Sequence, residues 1–146
     1  MYIYWIALTL LLIAGGISSQ FQHQIENSAE AATVDVISRS LLVYRSAAAE
    51  FARANPNFFG TPPESALNLP TWYIKQSNIT TYLVGGVSYT FVTGTIPPGL
   101  PAALADLTES GTVGVNRSGL LYSPTNGNMA IPIPVQVPNG AAVAVF

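Results

Sequence analysis

The sequence predicts an α+β fold: an N-terminal apolar helix, then a long amphipathic helix packed on a small antiparallel β-sheet of hairpins. Three observations predict it. Residues 1–17 carry no charged side chain. Apolar residues then recur at alternating steps of three and four from Val34 to Phe51. After Pro56 the pattern changes to short apolar runs separated by glycine- and asparagine-containing turns.

A helix from Tyr2 to Ile17 would be about 24 Å long at ~1.5 Å per residue, against a hydrocarbon core of ~30 Å. Residues 1–21 therefore read as a membrane anchor or a secretion signal. A signal needs a basic leader, and no Lys or Arg precedes Arg39. Ala14-Gly15-Gly16 or Ser18-Ser19 would serve as a cleavage site, so removal stays open. Continuing through Ser18, Ser19, Gln20 and Phe21 lets a tilted span reach across. Tyr2, Tyr4 and Trp5 stand where an aromatic belt meets the interface, but without nearby Lys or Arg the orientation is not fixed. The pairs Ala14/Ser18 and Gly15/Ser19 are small enough for close helix approach in a membrane.

Residues 22–55 read as the amphipathic helix. Val34, Ile37, Leu41, Tyr44, Ala48 and Phe51 fall on one stripe, which suits packing on a following sheet better than a coiled-coil seam. Asn27 or Ser28 is placed to cap its start. Glu26, Glu30 and Asp35 come early and Arg39, Arg45 and Arg53 late, the order that a helix dipole favours. Asp35 and Arg39 form an i,i+4 pair. Asn55-Pro56 ends the helix, because a residue before proline is pushed out of the α region.

Residues 56–146 read as the β-rich part. Residues 57–71 form an irregular connection with one short helical turn, and Trp72-Tyr73-Ile74 begins the β region. Ile79–Thr93 is a hairpin around Gly85-Gly86, pairing Val84 with Val87, Tyr82 with Tyr89 and Thr80 with Phe91. That face is expected under the long helix. Ala102–Thr108 is a short helix. Thr112–Val115 and Leu120–Tyr122 flank the turn Asn116-Arg117-Ser118-Gly119. A last hairpin is expected between Ile133–Val137 and Ala142–Phe146 around Pro138-Asn139-Gly140. Pro132, Pro134 and Pro138 cannot donate ladder hydrogen bonds and place that strand at an edge.

Composition narrows the function classes. With 146 residues there is room for one domain beyond the leader. Five Lys plus Arg against seven Asp plus Glu give a net charge of −2 and no electrostatic basis for binding nucleic acid. Cysteine is absent, so disulfide and thiol chemistry are not available. Low charge with 49% apolar residues suggests surface covered by partners or by further copies of the chain.

The candidate chemistry is thin. His23 is the sole histidine, with only Glu26 nearby, which makes no metal set. Asp106 and Glu109 share the spacing of paired catalytic carboxylates but read as a solvated helix face. Gly111-Thr-Val-Gly114 with Gly119 lacks the Gly-Lys-Ser/Thr of a phosphate loop. Asn78-Ile-Thr80 and Asn116-Arg-Ser118 match a glycosylation sequon and read as turns. Phe58, Phe59, Trp72, Tyr73, Tyr82, Tyr89 and Phe91 are expected in the core. No catalytic, cofactor-binding or metal-binding residue is expected, and neither an enzymatic role nor a small-molecule substrate.

Two stretches carry a family resemblance: the start Met1-Tyr-Ile-Tyr-Trp running into the helix, and the tail Gly119-Leu-Leu-Tyr-Ser-Pro124 through Pro132-Ile-Pro-Val-Gln-Val-Pro138. With the length and the absence of cysteine, the chain resembles the PilM proteins of conjugative-plasmid thin (type IVb) pili. These are distinct from the actin-like cytoplasmic protein that shares the name. The resemblance implies an envelope component of pilus biogenesis supporting conjugative transfer, with other pilus-assembly proteins or pilin as partners. It implies the bacterial inner membrane, with the C-terminal domain in the periplasm. The layout is also similar to a pilin, which keeps a minor pilin in the fibre as the alternative. Trp5 stands in the apolar run and Gly16-Ile17 follows that run, so prepilin processing is not expected.

Overall fold

The computed structural model describes the backbone of residues 2–146 and the side chains of residues 4–8 and 24–146. It holds two compact units, Met1–Thr33 and Val34–Phe146. The elements are α1 (Tyr2–Ala54), a 3₁₀ turn (Glu64–Ala66), β1 (Ile79–Val84), β2 (Val87–Val92), α2 (Leu100–Thr108), β3 (Val113–Arg117), β4 (Leu120–Ser123), β5 (Gly127–Pro132) and β6 (Ala142–Val145). A long helix with a six-stranded antiparallel sheet is the α+β fold that the sequence predicts.

In the first unit, Asn27 and Ser28 do not start a helix. They lie inside α1, and Ser28 Oγ donates to the Gln24 carbonyl at 2.8 Å while Thr33 Oγ1 donates to that of Ala29 at 2.9 Å. A hydroxyl that bonds one turn back is compatible with a helix interior, so a cap-forming residue type misplaced the boundary. The dipole argument for Glu26, Glu30 and Asp35 fails with it, since α1 has no acidic residue in its first turn; Arg53 does stand in its last. Among the described residues no helix is long and apolar enough to cross a membrane. The anchor or signal expected at residues 1–21 lies mostly outside the described side chains, as does His23.

In the second unit the expected stripe is the buried one. Leu41, Tyr44 and Ala48 are fully buried and Val34 and Ile37 nearly so, with Phe51 half-buried. Each large side chain so buried contributes about 1.5–3 kcal/mol. Asp35 and Arg39 pair at 2.9 Å, though both are exposed. The helix stops at Ala54, where Asn55 turns its amide back to the Phe51 carbonyl at 3.0 Å ahead of Pro56.

The sheet order is β1-β2-β6-β3-β4-β5. The first hairpin has the expected register, including Tyr82 opposite Tyr89 and Val84 opposite Val87. Its turn uses Gly85 and Gly86 at positive φ, the conformation of a tight type I′ turn. The face assignment is reversed. Ile79 and Val92 join the helix-side core with Val34, Leu41, Tyr44, Leu100, Leu104, Val113, Ala142 and Ala144. Tyr82, Val84, Val87, Tyr89 and Phe91 instead pack with Leu121, Ile133, Val137, Val143 and Val145. The helix-side face reads as polar because Thr81 and Thr90 sit on it. Both are fully buried, with Thr90 Oγ1 donating to Thr81 Oγ1 and Thr81 Oγ1 to the Tyr89 carbonyl, each at 3.2 Å. Satisfied hydroxyls are tolerated there.

Two further expectations are corrected. Trp72-Tyr73-Ile74 is not a strand, and the sheet begins at Ile79. The C-terminal hairpin does not form. Residues 133–141 run as a loop with turn bonds from Val137 N to the Pro134 carbonyl and from Ala141 N to the Pro138 carbonyl, while β6 lies between β2 and β3. Prolines deny that segment a ladder, and Pro132 closes the edge strand β5. The expected turn between β3 and β4 forms at Ser118-Gly119 alone, because Asn116 and Arg117 belong to β3, and the short helix starts two residues early, at Leu100.

Asn116 fastens the loop to the sheet. It is buried, its Nδ2 donates to the Val137 and Pro138 carbonyls at 2.9 and 3.2 Å, and its Oδ1 accepts from Gly119 N at 3.0 Å. A side chain so engaged is not open to glycosylation. Asn116→Ala leaves these main-chain groups without their partner and should cost about 2 kcal/mol in urea denaturation. An unchanged midpoint would show that water replaces the amide without loss.

Candidate functional site

A surface cavity of ≈ 610 Å³ lies where the outward face of α1 meets residues 72–76 and the end of α2. Its lining is mostly apolar: Val36, Leu42 and Val43 from the helix, Trp72 and Ile74 from the connection, and Leu107 from α2. Four of these are exposed, with Trp72 at 70% and Ile74 at 86% the extremes. Apolar side chains at that exposure leave surface that a partner can cover.

The groove's wall is braced from below. The Tyr73 hydroxyl donates to the Ser40 carbonyl at 3.1 Å and lies 3.1 Å from Ser40 Oγ. Its ring stacks on Tyr44 at 6.4 Å and carries Trp72 edge-on at 6.3 Å. Burial pushes the Tyr73 hydroxyl above its ordinary pKa, against the opposing bond to Ser40. Lys75 holds the same Tyr44 ring, with Nζ 2.7 Å from Glu64 and 5.2 Å above the ring centroid. Burial lowers the Lys75 ammonium, but Glu64 and Tyr44 outweigh it and leave the pKa raised. Polar anchors thus hold an apolar rim in one position.

The residues singled out by sequence are not gathered in this groove. Asp106 and Glu109 are exposed and line a separate polar groove of ≈ 450 Å³ with Ser110, Gly111, Thr125 and Asn126. No group of three metal-ligating side chains occurs among the described residues. Gly114 belongs to β3 and to no phosphate loop. Phe59 and Trp72 are exposed instead of buried, whereas Tyr89 and Phe91 are in the core as expected. Val36, Ile74 and Leu107 were missed. Their signal was apolar character off the buried stripe, as at Val36 and Val43, which the helical period alone marks as the outer face.

The comparisons with known proteins agree with the resemblance. A crystallised PilM protein from Pseudomonas aeruginosa 2192 is 46% identical over 77% of this chain and 92% of its own, with a TM-score of 0.51. A crystallised PilM protein from Escherichia coli B7A is 17% identical, covers 80% of this chain and 93% of its own at a TM-score of 0.60, and so shows the fold. No curated protein matches. The model of the PilM family matches residues 8–145, and the chain therefore belongs to the PilM family.

Proposed function

We propose that this PilM-family protein is a non-enzymatic envelope component of type IVb (thin) pilus biogenesis that supports conjugative transfer through protein–protein contacts. Family membership supports the pilus-related role. The observation that carries the mode of action is the braced apolar groove, whose rim of Trp72, Ile74, Val36 and Leu107 offers shape and apolar surface rather than reactive groups. Its partners are other pilus-assembly proteins or pilin. Residues 1–21 hold the chain at the bacterial inner membrane, with the C-terminal domain in the periplasm.

The combined change Trp72→Ala and Ile74→Asp removes most of the rim. Partner capture should weaken roughly tenfold or more, as for other aromatic anchors. Thin-pilus formation and liquid mating should fall with it, while thermal stability stays near that of the parent because both side chains are largely exposed. Full piliation by this variant would count against the groove. The second reading, a minor pilin, draws support from one long helix leading into a β-rich head. Recovery of the protein in sheared, purified pili would favour it.

A further inference from the structure

We infer that Asn126 is a modification site, where attack by the Gly127 main-chain nitrogen expels the side-chain amide and leaves aspartate or isoaspartate. Asparagine followed by glycine is the pair most open to this reaction, because glycine sets no side chain in the way of its own nitrogen. The chain has two such pairs, Asn126-Gly127 and Asn139-Gly140. The fold treats them differently.

All four residues are exposed, and both glycines are at positive φ, 72° and 83°. Exposure and backbone shape therefore do not separate the pairs; hydrogen bonding does. Asn139 Oδ1 accepts from Ser118 N at 2.9 Å, and Gly140 N donates to the Asn116 carbonyl at 2.7 Å. Attack there has to swing the side chain off Ser118 and remove the proton that the Asn116 carbonyl holds. Asn126 is under no such hold. It ends the turn at residues 124–126, and its side chain has no hydrogen-bond partner among the described residues. Its Nδ2 lies over Gly111, which offers no side chain to detain it. Gly127 opens β5, an edge strand paired on one side only and in an irregular register.

The reaction balances with water as the added reactant. The Gly127 nitrogen gives its proton to solvent and bonds to Asn126 Cγ. The Cγ–Nδ2 bond breaks, and the amide nitrogen takes up a proton and leaves as ammonia. Water then opens the resulting five-membered imide at either carbonyl. One opening leaves aspartate, a third carboxylate in the groove of Asp106 and Glu109. The other leaves isoaspartate, which adds a carbon to the main chain at the start of β5 and disturbs the pairing of Gly127 with Ser123.

Incubation of the full chain in detergent micelles at mildly alkaline pH, followed by peptide mass analysis, tests this. Asn126 should convert roughly tenfold or more faster than Asn139, whose two hydrogen bonds have to break first. In urea, where neither pair is held, the two rates should converge. Asn126→Ser should abolish the fast product, and with it the methyl label that a protein-isoaspartate methyltransferase places on the folded chain. An unchanged Asn126 in the folded chain, or an Asn139 that converts as fast, overturns the inference. A tenfold difference that persists in urea overturns it too, since the fold would then not be its source.

Discussion

Gly114→Ala should destabilise the sheet by about 3 kcal/mol, lowering the melting temperature by roughly 10 °C. Gly114 lies in β3 opposite Val143 of β6. A methyl group there would overlap the Tyr122 main-chain carbonyl oxygen, with the carbonyl carbon at 2.6 Å and Ser123 Cα at 3.0 Å. These are backbone atoms of the paired strand β4, so they cannot rotate aside; β3 and β4 would have to separate. Gly111→Ala is the control. Its methyl would meet Met129 Cε at 2.8 Å, the far end of a flexible side chain, and should cost under about 1 kcal/mol. Equal stability of the two variants by calorimetry would remove the backbone argument.

Tyr44→Ala should cost about 4 kcal/mol, comparable with other large-to-small changes of buried aromatics. Tyr44 is fully buried at the centre of the helix stripe. Its ring is the floor on which Tyr73 stacks and above which Lys75 sits. Removing it leaves a cavity and withdraws support from the groove wall at once. Tyr44→Phe keeps the ring and should cost only about 1 kcal/mol. Denaturant unfolding of the three chains checks the ordering. A Tyr44→Phe variant as unstable as Tyr44→Ala would mean that the hydroxyl, not the packing, holds this region.

Local features of the fold were legible because they carry their own physical signals. The Val34–Phe51 stripe follows the helical period, and Gly85-Gly86 determines both the turn and the register of the first hairpin. Facing was misjudged because both sides of that sheet are covered. The presence of Tyr82, Tyr89 and Phe91 made one side look like the interior, while Thr81 and Thr90 disguised the other. The place of β6 was not legible either. Its partners, Tyr89–Phe91 and Val113–Val115, are distant in sequence, and no turn chemistry links them. The groove escaped for a related reason. It is assembled from α1, the connection and α2, and only folding brings Val36, Ile74 and Leu107 to one surface. Trp72 and Phe59 show the same limit, since an aromatic side chain signals burial somewhere, including burial against another protein.

The central place of β6 has a consequence for the order in which the protein can be made. Two hairpins, β1–β2 and β3–β4, are joined into one sheet only by β6. Roughly 50 residues separate β2 from β6, so at ~5–20 residues per second the ribosome needs some seconds to deliver the joining strand after the first hairpin. Until then, the flanks of Tyr89–Phe91 and Val113–Val115 lack their neighbour, and the two hairpins cannot close into one sheet.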